Sequence, residues 1–169
     1  MESALIISSS DQGVTFFTEL LNTASISKTA SVPSCSEARR VILERTFDLV
    51  ILNAPLRDES GIDLAQQIAS KGISQVILVV KTEHYDAITA VCEEYGVLTV
   101  AKPVNKAMFW STLKLAGAMQ NRLRRMEEEN TKLKQTIEDI RIIDRAKCLL
   151  ISEAVFIARK EKNKDTKEI

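Results

Sequence analysis

Little in this chain points to reaction chemistry of its own. Its three cysteines, Cys35, Cys92 and Cys148, are widely spaced and form no CxxC pair, and His84 is the one histidine. Neither a disulfide framework nor a zinc site is expected, and reduced thiols in a cytoplasm are the default. His84 reads as a surface residue without ligand neighbours, and Cys148, among apolar neighbours, as buried and unreactive. There is no glycine-rich phosphate loop, Ser–His–Asp set or metal cluster, so nothing supports an enzyme and no cofactor is called for. No stretch approaches the roughly 18 apolar residues of a membrane span. The N-terminus lacks the basic-then-apolar pattern of a secretory signal.

What is present is an apolar share of 45% in 169 residues, enough for one packed domain and an appendage. Net charge is zero but unevenly spread. Residues 1–119 carry 10 Lys and Arg against 13 Asp and Glu, and residues 141–169 carry eight against five. Only the C-terminal part has a charge that favours a polyanion.

Short apolar runs alternate with helical stripes. Ala4–Ile7 predicts a buried strand, Ser8–Asp11 a helix cap, and Val14, Phe16, Phe17, Leu20 and Leu21 a helical face. A polar strand near 27–32 follows, then a helix opened by Pro33-Ser34 with Ala38, Val41, Ile42 and Leu43 inward. Phe47–Leu52 is apolar throughout, as in a strand covered on both faces. After a loop over 55–61 come a helical face of Ile62, Leu64, Ala65 and Ile68, a strand at 75–80, a helix over 83–95 stopped by Gly96, and a strand at 97–101. This alternation implies crossover units and a five-stranded parallel sheet.

The last predicted helix runs unbroken from Asn105 to about Leu150, with no proline and one glycine, Gly117. Near its start Met108, Phe109, Leu113 and Ala116 face the sheet, and Phe109 and Trp110 read as core or dimer-contact aromatics. Further on it carries a heptad seam: Leu123, Asn130 and Ile137 at one position, Met126, Leu133 and Ile140 at the other. Such a seam buries against a copy of itself, and a single seam Asn sets register in a parallel pair. Arg122 with Glu127, and Glu129 with Lys134, match across parallel partners, although antiparallel pairing also satisfies these signs. A homodimer is expected, with domain 1–117, coiled coil 118–140 and C-terminal segment 141–169.

The order of elements, the strand Phe47–Asn53 and the Lys102-Pro103 pair resemble receiver domains of bacterial two-component response regulators. The resemblance implies a flavodoxin-like fold with its site at the carboxyl ends of the strands. It places a phosphoacceptor Asp after the third strand, a magnesium-binding acidic pair after the first, a Thr or Ser after the fourth and a Lys after the fifth. It also implies a cis peptide at Lys102-Pro103. Here those positions hold Asn53, Ser8 and Ser9, Val80, and Lys102. An amide is no phosphoryl nucleophile, and magnesium needs charged oxygens. A pseudo-receiver not phosphorylated at Asn53 follows. Lys102 is expected to bond loop carbonyls and Asn53, and Asp11 and Asp58 to act as caps or surface groups. A small-anion pocket of Lys102, Ser8, Ser9 and Asn53 is the alternative use.

Beyond Ile140 the heptad frame would put Asp144 and Lys147 in the seam, so the coiled coil ends or changes register. Ile142, Ile143, Ala146, Leu149 and Leu150 form a broader face suited to several short helices. The string from Ile140 to Leu150, with Asp144-Arg-Ala-Lys147, resembles the start of an ANTAR module, a three-helix RNA-binding unit of transcription antiterminators. The resemblance implies that Arg141, Arg145 and Lys147 contact RNA hairpins, with Arg159, Lys160 and Lys162 adding a diffuse field. Nineteen residues follow Leu150, and an abbreviated or degenerate module is expected. Ala154, Phe156 and Ile157 are expected to form one more short helix with Phe156 as core, and residues 160–167 to fray. The two functions in view are a dimeric RNA-binding antitermination regulator, with a regulatory protein or ligand acting on the pseudo-receiver, and a receiver-derived dimeric protein scaffold.

Overall fold

The computed structural model describes residues 1–72 and 74–165. Strands β1 (Ser3–Ile7), β2 (Lys28–Val32), β3 (Leu49–Asn53), β4 (Gln75–Lys81) and β5 (Leu98–Lys102) alternate with α1 (Asp11–Thr23), α2 (Cys35–Glu44), α3 (Ile62–Ser70) and α4 (Tyr85–Cys92). A final helix, α5, runs from Lys106 to Asp165. All strands pair in parallel, in the order β2-β1-β3-β4-β5. This is the flavodoxin-like receiver fold. The chain divides into two compact units, Met1–Leu123 and a second beginning at Arg124.

β1, β3 and β4 read as continuous apolar runs because both faces of the sheet are covered. One face buries Leu5, Ile7, Val50, Leu52 and Val80 with residues of α2 and α3. The other buries Ala4, Ile6, Ile51 and Val79 with Phe17 and Leu21 of α1 and Phe109, Leu113 and Ala116 of α5. Phe109 lies 5.4 Å from Phe17 between ring centroids, an aromatic contact joining α1 to α5 in this core.

Three helix starts, those of α1, α2 and α5, are capped by a side chain just upstream. Ser10 Oγ accepts from Gly13 N, Ser34 Oγ from Glu37 N, and Asn105 Oδ1 from Ala107 N, each satisfying a first-turn amide that has no helical partner. The predicted helix over 83–95 is interrupted: only Tyr85–Cys92 is α-helical, with 3-10 turns at Thr82–His84 and Glu93–Tyr95. Gly96 closes it at a φ of 73°.

Several expectations need correction. Met108, expected to face the sheet, is 46% exposed, because Phe109 takes the inward position and the residue before it turns outward. Leu43 is 81% exposed, because the buried stripe of α2 passes through Ala38, Val41 and Ile42 and the next residue turns outward. No break separates residues before and after Leu150: good helix formers carry α5 on through Ala154, Phe156 and Ile157 as one helix. Cys148 and Phe156 are exposed, because α5 continues there as one helix instead of folding back on itself as packed short helices. Of the expected frayed end, residues 160–165 are helical, and residues 166–169 lie outside the described residues.

Candidate functional site

The sheet order reverses between β1 and β3, so their carboxyl ends flank the crevice where open parallel sheets place their sites. Ser8 follows β1 and Asn53 ends β3. The two meet directly: Asn53 Nδ2 donates to Ser8 Oγ at 3.0 Å. Ser8 Oγ also accepts from Ser10 N and donates to Ser10 O, so the hydroxyl, on a residue 2% exposed, is fully engaged. Gly13 in the first turn of α1 presses on this pair. A β-carbon there would come within 2.5 Å of Ser8 Oγ and 2.6 Å of Asn53 Nδ2.

Ser9 faces the other way. Its hydroxyl donates to Pro33 O and accepts from Arg57 N, tying the loop after β1 to those after β2 and β3. Lys102 reaches in from β5, and its ammonium donates to Ala54 O at 2.5 Å rather than to Asn53. Burial, and then the charge of Lys81, hold its pKa below the ordinary lysine value. The Thr82 hydroxyl donates to Lys102 O, and the Lys102-Pro103 peptide is cis, as is Ala54-Pro55. Val80, only 1% exposed, brings no hydroxyl.

The groups of the site are thus two neutral polar side chains, an ammonium bonded to the Ala54 carbonyl and a buried valine. The receiver family implies a magnesium ion here, and this donor set does not fit one. The acidic-pair positions supply hydroxyls, one fully hydrogen-bonded, and the third ligand is an amide; a hard dication needs charged oxygens. Among the described residues no group of three or more His, Cys, Asp or Glu is placed to hold a metal ion.

Asp58, read from sequence as a cap or surface group, is the former. Its carboxylate accepts from the amides of Cys35 and Ser36 and from the Ser36 hydroxyl, closing the start of α2 from the loop after β3. Those bonds, Ser36 N first, lower its pKa. Beside it Arg39 grips Glu59 with two contacts, at 2.5 and 2.8 Å. Sequence reasoning missed this pair, and it missed the crowding at Gly13. A glycine inside an otherwise apolar helical stripe was the available signal. It also missed a cavity of about 390 Å³ beside Val80, lined by Ala54, Pro55, Ile62, His84 and Ile88 among others. His84 is exposed at its rim.

The remaining candidate residues lie on α5. Leu123, Met126, Leu133, Ile137 and Ile140 all expose a third or more of their surface, and Asn130 is exposed between them. Arg141, Arg145, Lys147, Arg159, Lys160 and Lys162 are exposed on the same helix. Arg141 lies 3.7 Å from Glu138, and Lys160 sits 5.1 Å over the Phe156 ring. No described helix is long and apolar enough to cross a membrane.

The sequence pattern of the response regulator receiver domain matches residues 4–114, well over half of the chain, and the chain belongs to that family. Among curated proteins it is similar to the transcriptional regulatory protein PdtaR of Mycobacterium tuberculosis, at 26% identity over 103 residues. That match covers 61% of this chain and 50% of PdtaR, so the chain spans about half the length of the curated relatives it matches. Two solved structures with the same fold are the signal receiver domain of an HD domain-containing protein from Pseudomonas fluorescens and a CheY-like receiver domain from Methylobacillus flagellatus. The first has a TM-score of 0.64 at 20% identity, covering 73% of this chain and 91% of that one. The second has a TM-score of 0.59 at 22% identity, covering 69% and 98%.

Proposed function

We propose that this receiver-family protein is a cytoplasmic, non-enzymatic, phosphorylation-independent regulator that acts as a dimer on RNA, in transcription antitermination. The observation that carries this reading is the surface of α5. From Met126 onward it leaves a heptad seam open to a second copy, and from Arg141 it offers a series of exposed cations. A seam pairing two chains doubles those cations, and RNA hairpins are polyanions recognised through phosphates and unstacked loops. The string Asp144-Arg-Ala-Lys147 resembles the start of an ANTAR module, and a relative named a transcriptional regulatory protein supports a role in gene expression. The segmentation 1–117, 118–140 and 141–169 belongs to this reading.

Input does not come through Asn53. With an amide at the acceptor position and no carboxylate at Ser8 or Ser9, a regulatory protein or ligand acts on the pseudo-receiver instead. The deciding experiment is a gel shift with leader RNAs that form two hairpins. Binding is expected to weaken with rising salt and with Arg145→Glu. Binding absent at moderate salt, or indifferent to that charge reversal, overturns the RNA reading.

One observation favours a second reading. Residues 141–165 continue as one helix rather than as several short helices packed together. A dimeric scaffold that binds only proteins fits that geometry. Partners captured by the purified chain, and retained after nuclease treatment, would favour it.

A further inference from the structure

The apolar surface of α5 beyond Ile140 is too wide for one partner. At about 3.6 residues per turn, Leu133, Ile137 and Ile140 continue on the same side as Asp144, Cys148, Ile151 and Val155. Two successive steps of four, from Ile140 to Asp144 and from Asp144 to Cys148, carry the seam across the break in the heptads. On the back of the helix, roughly a third to a half of a turn away, lies a second stripe: Ile142, Ile143, Leu149, Leu150, Phe156 and Ile157. These six are between 52% and 69% exposed. A helix apolar on two sides is built to lie between two neighbours, and a two-stranded seam covers only one of them.

We infer that this back stripe is a second self-association surface, which takes the same stripe of another copy in antiparallel register. Charge selects both the occupant and its direction. Glu153 and Lys160 lie within the stripe, and in a parallel pair each would meet its own copy. An antiparallel pair centred between Leu149 and Leu150 sets Ile142 against Ile157, Ile143 against Phe156, and Ala146 against Glu153. It also sets Asp139 against Lys160. Opposite charges therefore meet at each end of the paired stripe, Asp139 of one copy with Lys160 of the other. The contact is isologous, the same surface serving both chains. A seam dimer displays two such stripes, so association proceeds past two chains. Association past two chains rests on the seam dimer proposed above and not on RNA binding.

The full chain is tested in two ways. In sedimentation over a range of concentrations, wild type is expected to form species heavier than two chains. A variant carrying Leu149→Glu and Leu150→Glu, with helix content unchanged by circular dichroism, is expected to stop at two. Wild type that never exceeds two chains, with the double variant also at two, overturns the proposal. Wild type at two and the variant at one keeps the stripe as a self-association surface and removes the seam. In a Cys148→Ser background, Ala146→Cys and Glu153→Cys proteins are mixed under mild oxidation. A disulfide joining the two different variants supports antiparallel register. Linkage confined to Ala146→Cys with itself, or none at all, overturns it.

Discussion

Gly13 stands so close to Ser8 that any larger residue would drive a β-carbon to within 2.5 Å of the serine hydroxyl. The Ser8–Asn53 bond that replaces the receiver's charged pocket is therefore packed shut from above. Gly13→Ala is expected to destabilise the domain by about 1–3 kcal/mol, the usual range for overpacking. Removing the amide with Asn53→Ala opens space, so the double variant should be less unstable than the two single losses added together, with a coupling of about 0.5–3 kcal/mol. Denaturant unfolding of the four proteins measures it, and strict additivity would show that the two side chains do not share the space.

The same neutral lock predicts silence toward phosphodonors. Incubation with acetyl phosphate and magnesium is expected to leave the intact mass unchanged. Asn53→Asp alone should not restore labelling, because Ser8 and Ser9 supply no charge to hold the cation. A phosphoryl group on the wild-type chain that disappears in Asn53→Ala would restore an active receiver.

Asp58 caps α2 from across the sheet edge, and its bonds to Ser36 and Cys35 favour the ionised carboxylate. A carboxyl whose pKa is lowered by folding contributes stability that is fully present above its ordinary value of 3.8. That contribution is lost as pH falls through the depressed folded value. Asp58→Asn should thus lower the melting temperature at neutral pH and make the difference from wild type vanish in strong acid. Glu59, lowered by its bond to Arg39, shifts in the same sense from 4.5. A difference that stays constant down through this acid window would exclude the capping charge as the cause.

Cys148 offers a readout of seam orientation. Burial and then the Asp58 charge push the Cys35 thiol up to about 11, and burial raises Cys92, so both remain protonated and sheltered. Cys148 is exposed on the seam side of α5. In a parallel pair its two copies face each other, and mild oxidation is expected to give a disulfide-linked dimer on a non-reducing gel, abolished by Cys148→Ser. Failure to cross-link, in a protein that sediments as a dimer, would favour antiparallel pairing of the seam.

Patterns that repeat within one or two turns of chain were legible before any coordinates. The apolar runs of β1, β3 and β4, the stripe of α1, the caps at Ser10 and Ser34 and the heptads of α5 depend on neighbours a few residues away. The chemistry that the site lacks was equally legible: an amide at Asn53 and a valine at position 80 keep their functional groups in any fold. Where sequence reading erred, the local pattern was ambiguous. Leu43 is as apolar as Ile42 yet sits one step further around the helix, and the stripe beyond Ile140 suits several short helices as well as one long one.

Tertiary structure alone decided which of those groups meet. Ser8 and Asn53 lie 45 positions apart, Asp58 and Ser36 22, and Lys102 and Ala54 48. Each pair forms because the order β2-β1-β3-β4-β5 brings separate loops to one end of the sheet. Helical and strand periods report on which face a residue belongs to, because backbone geometry repeats them. They carry no information on which distant hydroxyl, carbonyl or α-carbon that face will press against, and so the closing of the pocket by Gly13 had to be seen in three dimensions.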